Sequence, residues 1–234
     1  MALRAVLFDM GDTLVAERRD VGDPWRGPVL EAIRSEFGSR DWAEALYAAD
    51  IRRPPSGDPH RQETNRWLSE WLRENAEPLS DEQVERLRIA FARPLPAVFS
   101  LAPGARESLR WCKTHGLVAI VLTNTLSRGD AEARADFERL GVADLVNDVI
   151  TSYSTGWQKP HPAMFERALR RAAAPAPEAC MVGDRLDYDV VGPKALGIRA
   201  VWKTTSALPP GFAQPPDAMI RSLEELPAVL QCWL

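Results

Sequence analysis

Four polar side chains stand in segments that each follow a short apolar run, and together they could do chemistry. They are Asp9, Thr123, Lys159 and Asp184. A short apolar run bounded by turn residues is typical of a buried strand. The carboxyl ends of parallel strands share one edge of a sheet, where open α/β sheets bind their ligands. We therefore predict that these four side chains meet in one site.

The charges of this predicted site favour a metal ion and a bound anion. Asp9 and Asp184, joined by Asp189, are carboxylates that would repel one another unless a cation lies between them. Oxygen ligands with open positions suit Mg²⁺, which keeps its other positions for water and phosphate. Lys159 and Thr123 then offer a positive charge and a hydroxyl group to the anion. An oxygen of Asp9 would attack such a phosphate in line, and water would hydrolyse the resulting aspartyl-phosphate.

The segments that must position these residues alternate between strand and helix patterns. Apolar runs predict strands at 5–8, 117–122, 146–150, 179–182, 198–202 and 218–220. Helical periodicity predicts helices at 103–115, 130–140, 162–173 and 190–196, and a last helix from the capping box 222–225. This alternation predicts an α/β fold, a doubly wound parallel sheet with the first strand near its centre.

Residues 15–98 differ in character, because their periodic segments are helical. Helices are predicted at 24–37, 41–49, 62–75 and from 81 to about 93, and no strand is predicted there. We therefore divide the chain into an α/β core domain, residues 1–14 and 99–234, and an inserted helical cap domain, residues 15–98. The insert's tryptophans have two open interpretations, a small apolar core or the roof of a pocket: Trp25, Trp42, Trp67 and Trp71.

Composition narrows the class of protein and its partners. The net charge of −4 gives no basic footprint for nucleic acid or an anionic membrane. No apolar run approaches the roughly 18 residues of a membrane span, and the start of the chain has no signal-peptide pattern. The three cysteines are too few and too far apart for a disulfide framework. We expect a cytoplasmic protein, a monomer or homodimer, whose partner is a small phosphorylated molecule.

The segments around the four polar residues resemble, in order and spacing, the four motifs of the haloacid dehalogenase (HAD) superfamily of hydrolases. They are FDMGDTL at 8–14, IVLTN at 120–124, KPHPAMF at 159–165 and MVGDRLDYDV at 181–190. The resemblance covers nearly the whole core and implies a Rossmann-like core. The insert at 15–98 stands where this superfamily carries its small helical cap, the C1 type.

The resemblance also implies roles for individual residues. Asp9 would be the nucleophile and a metal ligand, and Thr123, Asn124 and Lys159 would bind the phosphate. The metal would be Mg²⁺, and its other ligands would be Asp184, Asp189, which either supports or coordinates it, and the backbone carbonyl of Gly11.

One position departs from the family pattern. The family's phosphatases usually carry aspartate two residues after the nucleophile, where it acts as general acid and base, and this chain has Gly11 there and Asp12 next. General acid–base help is typically worth about 10²–10⁴-fold in rate. Either Asp12 or a cap residue does this work, or the leaving group needs no protonation, or turnover is slow.

The leading functional prediction is Mg²⁺-dependent hydrolysis of a phosphomonoester of a small metabolite. Alternatives are a weak or inactive protein that binds a phosphate ligand or another protein, and less favoured, a 2-haloacid dehalogenase. Phosphonate hydrolysis through a cap lysine is disfavoured, because the first lysine of the chain is Lys113. Four basic residues near the cap are further candidates for contact with the substrate: Arg18, Arg19, His60 and Arg61.

Overall fold

A computed structural model describes residues 2–17, 22–53 and 63–234 of the chain. Its centre is a six-stranded, all-parallel sheet with the strand order β5-β4-β1-β6-β7-β8. The strands of the described chain are β1 Ala5–Phe8, β2 Val15–Glu17, β3 Phe99–Leu101, β4 Val118–Thr123, β5 Asp148–Thr151, β6 Ala179–Gly183, β7 Arg199–Lys203 and β8 Ala218–Ile220. The predicted α/β fold is confirmed, with β1 between β4 and β6 as a central strand.

Helices cover both faces of this sheet. Alternate residues of β1 face opposite sides, so that Val6 and Phe8 join one apolar cluster while Ala5 and Leu7 join another. The helices of the core are α5 Ala105–Thr114, α6 Asp130–Arg139, α7 Ser152–Thr155, α8 Pro162–Ala172, α9 Gly192–Ala195 and α10 Leu226–Gln231. A sheet that buries both faces explains why its strands read as continuous apolar runs.

The helical insert has an apolar core of its own. The helices of the insert are α1 Arg26–Phe37, α2 Ala43–Ile51, α3 Thr64–Asn75 and α4 Asp81–Phe91. Ile33, Leu46, Leu68 and Leu87 are fully buried in its cluster. The predicted capping box is present at the start of α4, where Ser80 and Gln83 exchange hydrogen bonds between side chain and backbone.

The prediction that residues 15–98 contain no strand is wrong at one end. β2 pairs antiparallel with β3, and together they form a two-stranded sheet through which the chain enters and leaves the insert. A strand of three residues is too short to show periodicity, and its partner lies more than 80 residues away. Short pairing between distant segments therefore left no signal in the sequence.

The two interpretations of the insert's tryptophans each hold for part of the set. Trp42, Trp67 and Trp71 pack against the apolar core of the insert. Trp25 packs against that core and against the main core, and it also lines a cavity at the end of the sheet. Trp25 is thus a roof residue, as the second interpretation proposed.

The helix predicted at 190–196 is present in part. The short α9, Gly192–Ala195, lies within it and is preceded by a π-helical turn, Leu186–Val191. The cysteines Cys112, Cys180 and Cys232 are free thiols. Among the described residues, every helix falls short of the length and apolar character needed to cross a membrane.

Candidate active site

The centre of the candidate site is a buried ammonium group between two carboxylates. Lys159 Nζ donates to Asp9 Oδ1 at 2.6 Å and to Asp189 Oδ1 at 2.7 Å. The Lys159 side chain is 2% exposed and that of Asp189 is fully buried. Asp9 follows β1 directly, whereas Lys159 and Asp189 lie in segments after β5 and β6. The structure therefore brings together three of the predicted residues, from three separate strand ends.

Asp189 is held on both of its carboxylate oxygens. Its Oδ1 accepts from Lys159, and its Oδ2 accepts from the backbone N–H of Arg185 at 3.0 Å. Its place depends on Gly183, because a Cβ atom built there would lie 2.2 Å from Asp189 Oδ2. Because both oxygens of Asp189 are engaged, the structure favours this residue as the acid that positions Lys159 over a role as a direct metal ligand.

Asp184 brings a third carboxylate to the same point. Ligand oxygens of Asp9, Asp184 and Asp189 lie within 4.8 Å of one another, a spacing that could hold a metal ion. Thr13 Oγ1 donates to Asp184 Oδ1 at 3.4 Å, and Trp202 Nε1 donates to the Asp184 carbonyl at 2.8 Å. Asp184 is therefore fixed by neighbours from two other segments of the core.

Three carboxylates and one ammonium meet in this cluster, so its negative charge exceeds its positive charge, and the pKa values of its groups are shifted. Burial, helped by the carboxylates of Asp9 and Asp12, raises the pKa of Asp184 to about 6. Burial also raises the pKa of Asp189, against the opposing charge of Lys159. Although burial alone would lower the pKa of Lys159, Asp189 and Asp9 raise it above its ordinary value, so that the ammonium stays charged. A further cation would relieve the remaining repulsion between carboxylates.

Asn124 holds the backbone of Lys159. Its Oδ1 accepts from the Lys159 N–H at 2.8 Å, and its Nδ2 donates to the Lys159 carbonyl at 3.2 Å. The side chain is thus engaged in positioning the lysine, and contact with phosphate stays a prediction. Thr123, the last residue of β4, is 6% exposed and lines the cavity beside Gly11.

Gly11 and Asp12 face different spaces. Gly11 lines a cavity of about 430 Å³ between the strand ends and the insert. Asp12, whose φ of 53° is in the left-handed region, lines a separate cavity of about 330 Å³ with Asp184 and Lys203. Lys203 Nζ donates to the Asp12 carbonyl at 2.7 Å. This placement does not favour Asp12 as the acid and base, and that role stays a prediction.

The insert holds the loop between β4 and α6, which forms one wall of the larger cavity. Arg88 Nη1 from α4 donates to the Ser127 carbonyl at 2.5 Å, and Thr64 Oγ1 from α3 donates to the Leu126 carbonyl at 2.5 Å. From the core side, the buried Asp136 forms an ion pair with Arg128. The loop that carries Thr123 and Asn124 at its start is therefore fixed to both parts of the protein.

Sequence reasoning did not find Arg88, Arg128 and Asp136. Each is a charged residue on or near a helix, where a solvent-exposed position is the ordinary expectation. The sequence carries no signal that their partners are buried backbone and side-chain groups. The four basic candidates Arg18, Arg19, His60 and Arg61 lie outside the residues that the structure describes.

Removal of the buried ammonium should destabilise the protein in a pH-dependent way. In Lys159→Met, Asp9 and Asp189 face each other without a cation, so we expect a loss of about 3–5 kcal/mol at pH 7.5. The loss should be smaller at pH 5, because burial raises the pKa of Asp189 and its protonation removes the repulsion. Urea unfolding of variant and wild type at each pH measures it.

The matched control is Lys194→Met, which breaks the half-buried pair with Asp217 (N–O distance 2.8 Å). It should cost about 1 kcal/mol or less at either pH. An equal loss for Lys159→Met at both pH values would contradict the assigned charge balance.

The same added methyl group should destabilise the protein at one glycine and have little effect on stability at another. Gly183→Ala should cost about 1–3 kcal/mol and lower activity, because the methyl group displaces the Asp189 carboxylate. Gly11→Ala should change the free energy of unfolding by less than about 1 kcal/mol, since its Cβ would meet no atom within 4 Å. Thermal or urea unfolding compares the two, and equal costs would show that Asp189 is not confined by Gly183.

Comparison with known proteins supports the family resemblance. Residues 3–197 match the family model of haloacid dehalogenase-like hydrolases. Ribulose-1,5-bisphosphate 5-phosphatase from Halopiger xanaduensis is 29% identical over 202 residues, which cover 84% of this chain and 83% of that protein.

Solved structures extend the likeness to almost the full chain. The HAD phosphatase from Thermococcus onnurineus has a TM-score of 0.61 and 25% identity, covering 97% of this chain and 98% of that chain. The 2-haloacid dehalogenase from Pseudomonas syringae pv. Tomato has a TM-score of 0.62 and 26% identity, covering 99% of this chain and 100% of that chain. Phosphatase and dehalogenase are thus equally similar to it in fold. The match over residues 3–197 establishes that the chain belongs to the haloacid dehalogenase-like hydrolase family.

Proposed function

We propose that this hydrolase is a Mg²⁺-dependent phosphatase of a small phosphorylated metabolite, with Asp9 as its nucleophile. The observation that carries the proposal is the charged, buried Lys159 ammonium 2.6 Å from Asp9 Oδ1, beside an acidic cluster at the ends of the strands. A lysine ammonium has three donors, and two of them bind Asp9 and Asp189. The third is suited to a phosphate oxygen.

The donor set fits a magnesium ion. All three side chains of the cluster offer carboxylate oxygens, the ligand type that Mg²⁺ prefers. Asp9 and Asp184 would hold the metal, with the Gly11 carbonyl as a further ligand, and Asp189 would support it by fixing Lys159. When bound, the metal would neutralise charge on the phosphate and on the acidic cluster.

The chain's own residues then have defined parts in the reaction. One Asp9 oxygen forms a bond to phosphorus, and the bond from phosphorus to the ester oxygen breaks with its electron pair leaving on that oxygen. Lys159 and the Thr123 hydroxyl donate hydrogen bonds to the phosphate oxygens. Water then attacks phosphorus, the Asp9 oxygen leaves as carboxylate, and the water's protons end on the products.

The charge of the site favours this chemistry over dehalogenation. A 2-haloacid substrate carries a carboxylate, which the excess negative charge of the cluster would repel. A phosphate would meet the same repulsion, but its transfer would use a divalent cation bound by the cluster, whereas displacement of a halide by a carboxylate needs no metal ion. The spacing of the three carboxylates, within 4.8 Å of one another, supports a site that a cation would complete.

A second candidate is a protein that binds a phosphate ligand with little or no turnover. The observation that favours it is Gly11, which puts no side chain into the cavity where an acid and base would act. The same metal and phosphate contacts would serve both candidates, so only turnover separates them. The domain division at residues 15 and 98, the monomeric or dimeric state and the cytoplasmic location stay predictions.

The nucleophile is tested by Asp9→Asn. We expect phosphate release from a panel of small phosphomonoesters with Mg²⁺ to fall by at least about 10³-fold, because an amide cannot form the aspartyl-phosphate. Asp187→Asn is the matched control, since that aspartate is 57% exposed and pairs with Arg185 outside the cluster. The activity of Asp187→Asn should stay near that of the wild type. Chelation of the metal by EDTA should abolish activity in the wild type and in Asp187→Asn.

Retained activity in Asp9→Asn would refute the nucleophile. No release by the wild type, together with metal-dependent binding of inorganic phosphate, would instead establish the second candidate. Metal-independent release of halide from a 2-haloacid would overturn both.

A further inference from the structure

The cavity beside Gly11 and Thr123 is lined mainly by apolar and aromatic side chains. It occupies about 430 Å³ between the strand ends and the insert. The rings of Trp25 and Phe99 pack against each other in its wall, with centroids 5.6 Å apart. Its other apolar lining residues include Val15, Phe91, Leu95 and Leu126. A bound ester would therefore place its leaving group against apolar and aromatic surface.

Three polar side chains of the same wall have partners within the protein, whereas the buried Ser127 Oγ has none among the described residues. Asp50 accepts from Arg53 Nε at 2.9 Å, Arg128 pairs with the buried Asp136, and Thr125 Oγ1 donates to the Arg128 carbonyl at 2.7 Å. Groups that are satisfied within the protein gain little from the hydroxyls or charges of a polar ligand. Most of the described wall therefore offers apolar and aromatic surface to a leaving group.

The described wall also offers no ready proton donor for the leaving oxygen. Gly11 has no side chain, and Asp12 lines the other cavity. Asp50 is the carboxylate of the described lining, and it is held in an ion pair with Arg53. Among the described residues, this arrangement favours an ester whose leaving oxygen is stable without protonation.

A phosphate ester of a phenol combines an aromatic leaving group with a leaving oxygen that is stable without protonation. A phenol ionises with a pKa of about 10, whereas the pKa of an aliphatic alcohol is close to that of water and therefore far higher. A phenolate therefore departs far more easily than an alkoxide when no acid assists. Aromatic rings also pack favourably on Trp and Phe side chains.

We propose that the substrate is a phosphate monoester of a phenolic alcohol, whose ring lies against Trp25, Phe91 and Phe99. This inference rests on the proposed phosphatase function. Attack by an Asp9 oxygen on phosphorus breaks the bond to the phenolic oxygen, which leaves with the electron pair as phenolate. The phenolate takes a proton from solvent, and water hydrolyses the aspartyl-phosphate to phosphate and the free Asp9 carboxylate.

The test compares phenyl phosphate with cyclohexyl phosphate, which has a ring of similar size but an aliphatic ester oxygen. With Mg²⁺, we expect kcat/KM for phenyl phosphate to exceed that for cyclohexyl phosphate by at least about 10²-fold, the size of missing acid catalysis. A series of ring-substituted phenyl phosphates should show rates that rise steeply as the phenol becomes more acidic.

Two variants separate the parts of the proposal. Gly11→Asp introduces a carboxylate into open space and should narrow the ratio of phenyl to cyclohexyl phosphate by improving the aliphatic ester. Trp25→Leu should raise KM for 2-naphthyl phosphate by about 3–10-fold while the inhibition constant of inorganic phosphate stays unchanged. Circular dichroism checks that both variants are folded.

The outcomes distinguish the inference from the function on which it rests. No phosphate release from any ester by the wild type would refute the phosphatase function itself. Release with similar kcat/KM for phenyl and cyclohexyl phosphate would refute only the phenolic substrate, because it would show that a proton donor reaches the leaving oxygen. A shallow rate dependence in the wild-type phenyl series, or a ratio that folded Gly11→Asp leaves unchanged, would refute it as well.

Discussion

The structure of the site depends on one buried interaction, the ammonium of Lys159 between the carboxylates of Asp9 and Asp189. A lysine that is 1% exposed is stable only when it is paired, and here each partner comes from another strand end. The arrangement explains why Gly183 has no side chain, since Asp189 occupies that space. It also explains why Asn124 holds the lysine backbone on both its polar groups.

The insert contributes to the wall of the cavity beside this site. None of its described residues belongs to the charge cluster of Lys159, Asp9 and Asp189. Trp25 and Phe91 bring aromatic surface to the cavity beside Gly11, and Arg88 fixes the loop that follows β4. The acidic cluster and the apolar cavity are thus adjacent but chemically distinct. In the proposed function, the first would hold a metal and a phosphate, and the second would hold the group that the phosphate leaves behind.

Much of this architecture could be predicted from sequence, because its signals are local. Apolar runs predict the strands of the main sheet, and the position of Asp9 after the first run places it at the ligand-binding edge. The roles of Asn124 and Arg88 could not be predicted, because each depends on a partner distant in sequence, Lys159 and Ser127 respectively. The pairing of β2 with β3 was missed for the same reason. The cavity that Asp12 lines could not be predicted either, because it depends on the backbone conformation of the turn.

The central claim is that Asp9 accepts a phosphoryl group beside Lys159 with the help of a divalent cation. Beryllium fluoride bonds to a carboxylate as a mimic of an acyl phosphate, so fluorine NMR of the protein with Mg²⁺ tests the claim directly. We predict protein-bound fluorine resonances in the wild type that disappear in Asp9→Asn and after removal of Mg²⁺. Bound resonances that persist in Asp9→Asn, or that do not depend on the metal, would contradict the account.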